Sequence, residues 1–199
     1  MTINKEAKVQ PKFKTIFTKS KPPNSKRIKS LKYWCSIFHK TGLAPFAGTS
    51  SLGNLSFRVK RGSNKFIITA SGLGLKQALK ENEFVLVEKV DQKNMKVFSC
   101  GTRPPSSESL LHYAIYRKRK DINAIFHGHS SEILGKSIRL KIPSTKKEAP
   151  YGSKLLVNEA IKVLKDNNFI VLKKHGFVSL GRTLRGAGKM ALYQLTKAV

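Results

Sequence analysis

The chain has 199 residues, enough to bury one sizeable core as a single domain, and its 40% apolar content is ordinary for a folded protein. Thirty-nine Lys and Arg against eleven Asp and Glu give a formal charge of +28, carried mostly by lysine. That field attracts phosphates on metabolites, nucleic acid or lipid surfaces without choosing among them, and a lysine-biased solvated surface is the plainer account of it. No apolar run reaches the ~20 residues needed to cross a bilayer, and the start lacks the apolar stretch of a secretory signal. Cys35 and Cys100 have no CxxC spacing, so neither a disulfide scaffold nor a thiolate zinc site is indicated. The expectation is a cytoplasmic protein with no membrane partner.

Residues 1–29 are lysine-rich, carry Pro11, Pro22 and Pro23, and have Glu6 as their only acid. So little apolar surface does not offset ordering entropy, which predicts a flexible basic N-terminal tail, a segment able to meet nucleic acid or an acidic partner. Leu31, Trp34, Cys35 and Phe38 then form an apolar stripe at helical spacing that stops at Thr41-Gly42. His39 on that helix reads as structural or surface.

In the stretch Gly48 to Val59, Gly53 precedes a short alternating strand, and Ser51, Asn54 and Ser56 place small polar groups beside it. Phe66 to Ile68 reads as a buried strand ending in a second small polar turn, Thr69-Ala-Ser71-Gly72. Each is an ordinary turn taken alone; together they form two sides of an anion cradle. Leu75 to Lys80 reads as a short helix, Glu83 to Val90 as a strand and Met95 to Ser99 as its hairpin partner, all scaffold.

Pro104-Pro105 leads into serine, and Leu110, Leu111, Ala114 and Ile115 mark the buried face of a helix, with Ser106 or Ser107 as its N-cap. The free amides there favour a phosphate or carboxylate. Glu108, in the first turn, is a simple helix-end charge unless the fold brings it to a metal. His112 reads as packing.

Ile122, Ala124 and Phe126 alternate as a strand does, so His127 and His129 project from one face if the strand continues through them. Two imidazoles on one rigid face suit a zinc-type ion, given a third ligand from elsewhere; His175 is the candidate. The spacing alone is weak, since histidines two apart are common by chance. A lysine-rich loop follows over Arg139 to Lys147. Ser153 caps a helix through Leu164, Phe169 to Leu172 is a buried strand, Phe177 to Leu180 continues the sheet, and Thr183 opens a last helix.

The assembled pattern resembles the class II aldolase and adducin family. The matching motifs are Ser51-Leu-Gly-Asn54-Leu-Ser56, Ile68-Thr-Ala-Ser71-Gly72, Pro105-Ser-Ser-Glu108, His127-Gly-His129 and Lys174-His175-Gly176, in the family's order. The resemblance covers a domain over residues 30–199. It implies an α/β fold, a three-layer α/β/α sandwich with a central, mostly antiparallel sheet, assembled as a homotetramer. It implies one Zn2+ per subunit held by His127, His129 and His175, with Glu108 as catalytic acid/base and alternate fourth ligand. Ser51, Asn54, Ser71, Gly72, Ser106 and Ser107 match positions that hold a substrate phosphate.

The implied reaction is cleavage or formation of a carbon–carbon bond in a phosphorylated ketose through a metal-stabilised ene-diolate. Glutamate at 108 leans towards aldolases over the sugar phosphate epimerases, which carry aspartate there. A methylthioribulose phosphate dehydratase on the same scaffold and a noncatalytic adducin-like binding protein stay open. The segment between His129 and Ser153 is shorter than in the aldolases. For the tyrosine that assists proton transfer to the aldehyde half, Tyr151 and Tyr193 are the nearest aromatic hydroxyls.

Overall fold

A computed structural model of the chain describes residues 11–199. Its centre is an eight-stranded sheet. The strands are β1 (Lys14–Lys19), the short pair β2 (Phe46–Ala47) and β3 (Ser50–Ser51), β4 (Asn54–Arg58), β5 (Phe66–Thr69), β6 (Phe84–Asp91), β7 (Lys96–Cys100), β8 (Ala124–Gly128), β9 (Phe169–Leu172) and β10 (Gly176–Gly181). The helices are α1 (Ile28–Lys40), α2 (Ser109–Lys118), α3 (Ser131–Lys136), α4 (Lys154–Leu164) and α5 (Leu184–Ala198).

The strand order is β1-β7-β6-β5-β4-β8-β10-β9, with β2 and β3 paired apart. The sheet is mixed: β1 runs parallel to β7, while the other adjoining pairs run antiparallel. This narrows the expected mostly antiparallel sheet, and the reason is connectivity. No hairpin joins β1 to β7, so no turn dictates their relative direction.

β1 also corrects the expectation of a flexible tail over residues 1–29. Thr15, Ile16, Phe17 and Thr18 favour a pleated strand despite the flanking lysines, and Phe13, 8% exposed, anchors its start in the core. The first helix begins at Ile28, earlier than the tail boundary. The remainder of the tail expectation, residues 1–10, lies outside the described residues.

Alternation along the central strands sends apolar side chains into two separate clusters. Ala124 and Phe126 of β8 pack with Leu31, Trp34 and Phe38 of α1 and with Ala187 and Ala191 of α5. Ile125 between them packs in a second cluster with Leu111 and Ile115 of α2 and Leu156 and Ala160 of α4. The strand that carries the histidines is therefore clamped on both faces.

Cap chemistry sets several helix starts as expected: the Ser153 hydroxyl accepts from Leu156 N (3.1 Å), and that of Thr183 from Gly186 N (3.0 Å). The start of α2 differs. Neither Ser106 nor Ser107 is its N-cap; Glu108 holds that position. Pro105 bridges to Ala70, and Ser106 N donates to Thr69 O (3.1 Å), so the segment is tied to the end of β5. A turn follows, closed by Ser109 N and Oγ donating to Ser106 O, before helical geometry begins.

Candidate active site

His127 lies near the end of β8, opposite Asn54 of β4 on one side and Val178 of β10 on the other. Its ring is buried, and Nδ1 donates to Phe177 O at 2.8 Å. That bond fixes the tautomer, leaving the Nε2 lone pair free to bind. His129 follows beyond the strand, held by its N–H donating to Leu43 O (2.9 Å), with its Nε2 3.1 Å from that of His127.

His175 comes from the turn between β9 and β10. Lys174 takes φ 55°, and His175 N donates back to Leu172 O (3.0 Å), turning the ring towards His127 and His129. Gly176 must follow: a Cβ there would sit 2.4 Å from Gly128 O and 2.9 Å from His127 Cε1. The three expected histidines do converge, with one ligand atom from each lying within 4.8 Å of the others.

Glu108 completes the group. Its Oε1 is 3.6 Å from His175 Nε2 and its Oε2 3.8 Å from His127 Nε2. Neither oxygen has a hydrogen-bond partner of ordinary geometry among the described residues. Burial raises its pKa, against lowering pulls from His175 and the Gly152 amide. Burial also pushes His127 and His175 down to about 4 and His129 to about 2, so the imidazoles are neutral at pH 7.

This donor set fits a divalent cation. Tetrahedral bonds to zinc of about 2.0–2.1 Å place neighbouring nitrogens about 3.3 Å apart, close to the His127–His129 separation. The buried, unpaired carboxylate next to three neutral rings is otherwise a costly arrangement.

The same histidines and Glu108 line a cavity of about 310 Å³. Ser51, Asn54, Ser71, Gly72, Ser106 and Ser107 all line it too, so the two small polar turns and the start of α2 meet as the sequence suggested. Ser51 Oγ and Asn54 Oδ1 are buried without partners among the described residues. Of the two tyrosines, Tyr151 lines the cavity, whereas Tyr193 is exposed on α5 and does not.

Lys76 was read as scaffold, yet it lines the cavity while 2% exposed. Its Nζ donates to Ser51 O (2.7 Å) and Leu52 O (3.0 Å), and burial lowers its pKa to about 8. A partial signal was present: Lys76 opens a 3₁₀ turn, Lys76–Ala78, between Leu73 and Leu79, and all three of these residues are buried. His112 does pack, bonded through Nδ1 to Ser56 Oγ (2.7 Å), which in turn meets the Tyr116 hydroxyl (2.9 Å).

A model of the class II aldolase and adducin N-terminal domain matches residues 30–196. The chain belongs to this family. An L-fuculose phosphate aldolase of Methanocaldococcus jannaschii is 43% identical over 94 residues, covering 40% of this chain and 51% of that protein. A 5-methylthioribulose-1-phosphate/5-deoxyribulose-1-phosphate aldolase of Rhodospirillum rubrum is 29% identical over 160 residues, 70% of this chain and 66% of that one. A methylthioribulose-1-phosphate dehydratase of Leptospira interrogans is 32% identical over 145 residues, 70% and 52% of the respective chains.

The matches thus span about half to two thirds of the length of these relatives. Among solved structures, an L-fuculose 1-phosphate aldolase superposes with a TM-score of 0.71 at 25% identity, covering 89% of this chain and 84% of that one. Among the described residues, no helix is long and apolar enough to cross a membrane.

Proposed function

We propose that the chain is a zinc-dependent aldolase, cleaving or forming a carbon–carbon bond in a phosphorylated ketose. The observation that carries this reading is the convergence of His127, His129, His175 and Glu108 on one cavity walled by small polar turns. In this reading the three imidazoles hold the ion, with Glu108 able to take a fourth position. When bound, the ion supplies Lewis-acid polarisation of a carbonyl and its neighbouring hydroxyl.

The chain's own residues do the rest. As the bond breaks, its electron pair stays on the ketone phosphate fragment, the hydroxyl of the departing half loses its proton to solvent as its aldehyde C=O forms, and Glu108 delivers a proton to the electron-rich carbon, each transfer running backwards in the condensation direction. Ser51, Asn54, Ser71, Gly72, Ser106 and Ser107 bind the phosphate remote from the reacting carbons and fix their orientation. Tyr151 brings an aromatic hydroxyl to the same cavity for the aldehyde half. We further read the fold as a three-layer α/β/α sandwich and the working unit as a cytoplasmic homotetramer, as the family resemblance implies.

Dehydration on the same site is the second reading, supported by the name of the Leptospira relative. A noncatalytic adducin-like role is disfavoured because the histidines and Glu108 are all present and gathered. Incubating zinc-loaded protein with pentulose and deoxyhexulose 1-phosphates separates these readings. Release of a three-carbon ketone phosphate with a two-carbon or three-carbon aldehyde supports the aldolase; loss of water with an intact carbon skeleton replaces it with the dehydratase; an epimeric sugar phosphate points to an epimerase. No turnover of any of them removes the proposal.

A further inference from the structure

The chain carries thirty lysines and only nine arginines. Four of the nine, Arg27, Arg61, Arg182 and Arg185, line one groove, joined by Lys29 and Lys189. A general lysine bias accounts for a basic surface, but not for arginines gathering from three segments far apart in sequence. They come from the start of α1, the turn between β4 and β5, and the start of α5. No Asp or Glu lines the groove. It is distinct from the histidine cavity and shares no lining residue with it.

The groove encloses about 870 Å³ and has an aromatic floor, made by Trp34 and Phe57. Arg27 is committed to that floor: its guanidinium lies over the Phe57 ring at 4.6 Å and donates to Val59 O. Among the described residues, the side chains of Arg61, Arg182 and Arg185 make no hydrogen bond and no ion pair; Asp121, which Arg182 influences at longer range, is already gripped by Arg119. Their charged forks therefore remain available. Tyr33, 59% exposed, stands at the edge of the groove with its ring against Trp34 at 5.5 Å.

Unpaired guanidiniums suit phosphate oxygens, which they bind in bidentate geometry more readily than lysine does. An exposed tyrosine face beside them suits an unpaired base, since stacking on aromatics needs no particular sequence. We propose that this groove binds single-stranded nucleic acid, its phosphodiester backbone on Arg61, Arg182 and Arg185 and a base on Tyr33. A duplex keeps its bases stacked inside and offers nothing to Tyr33. The proposal does not depend on any reaction at the histidine cavity.

The test is binding of a labelled single-stranded RNA of about 20 nucleotides to the full chain, by fluorescence anisotropy across a salt series. The triple variant Arg61→Ala, Arg182→Ala, Arg185→Ala removes three cations from the groove; Lys40→Ala, Lys93→Ala, Lys118→Ala removes three exposed cations elsewhere. The arginine variant is expected to bind at least tenfold more weakly and to lower the salt slope by about 2, the value for three lost phosphate contacts. The lysine variant is expected to stay within about twofold.

Tyr33→Ala should weaken single-stranded but not double-stranded RNA, with the salt slope unchanged. Equal losses in the two triple variants would reduce the groove to bulk charge and overturn the proposal. So would a preference for duplex, binding only to anionic vesicles, or an arginine variant that instead dissociates an oligomer, which would make this face a subunit contact. Circular dichroism of each variant confirms that these surface changes leave the fold intact.

Discussion

Gly53 lies against the backbone of His127 so closely that a Cβ on it would sit 2.6 Å from the His127 carbonyl oxygen. The glycine also holds φ 75°, in the left-handed region. The turn before β4 thus reaches the histidine strand only because position 53 has no side chain. Gly53→Ala is expected to cost about 1–3 kcal/mol of stability, measured as a lower urea midpoint. The same variant should bind metal more weakly, because relief of the clash must move β4 or β8. An unchanged midpoint would show that the turn is freer than this contact implies.

Removing two ligands should abolish the metal centre. Purified protein is expected to carry about one zinc per chain, and the His127→Ala, His129→Ala double variant close to none, as read by elemental analysis. If both preparations hold equally little after zinc loading, the proposed chemistry has no starting point.

Glu108→Gln keeps the shape of the side chain and removes its charge. Turnover should fall about 10²–10⁴-fold while zinc content is retained. Stability of the metal-free protein should move the other way. Burial raises the folded pKa of Glu108, so its favourable contribution exists in the protonated form and is lost as pH rises through that folded value. The neutral amide avoids that loss, and metal-free Glu108→Gln should melt higher than the parent at neutral pH.

The histidines predict the opposite pH dependence. Their folded pKa values are depressed to about 4 for His127 and His175 and about 2 for His129, so the unfolded chain binds more protons below about pH 6.5. Stability of the metal-free protein should be full above about pH 6.5 and decline steadily as pH falls towards 4. The buried His112 acts in the same direction. Denaturant midpoints collected from pH 7.5 to 4 measure this, and a flat profile would contradict the assigned burial.

Arg58 offers a structural prediction away from the site. Its side chain is fully buried, donates to Ile122 O (2.6 Å), Arg119 O (2.8 Å), Ser63 O and Tyr116 O, and lies 4.4 Å over the Tyr116 ring. A lysine ammonium cannot reproduce that fork. Arg58→Lys is expected to lose about 3 kcal/mol, read from the unfolding midpoint, with any catalytic rate per folded molecule little changed.

Much of this site was legible in the sequence because its chemistry sits at the ends of regular elements and in the short turns beside them. The alternation of Ala124 and Phe126 pointed to the strand that carries His127, but Ile122 packs in the opposite cluster and His129 lies past the end of β8, set by its N–H to Leu43 O, while His175 needed only the turn ahead of β10. Lys76 was harder to see, since a charged residue opening a short 3₁₀ turn reads as surface unless the buried Leu73 and Leu79 on either side are weighed with it. The start of α2 lies one or two residues later than expected because Ser106 is drawn to β5 by Thr69 O, a tertiary contact with no local signature. The arginine groove was invisible for a related reason: its members are scattered singly along the chain and only the fold counts them together.

The parallel pairing of Lys14 with Lys96 has a consequence for how the molecule is made. During synthesis β1 emerges before α1, β4, β5 and β6, and its partner strand β7 follows only after all of these have been made. Until then this β-prone segment has no neighbour of its own, and closing so long a loop is slow. The lysines at both of its ends repel other nascent copies during that wait.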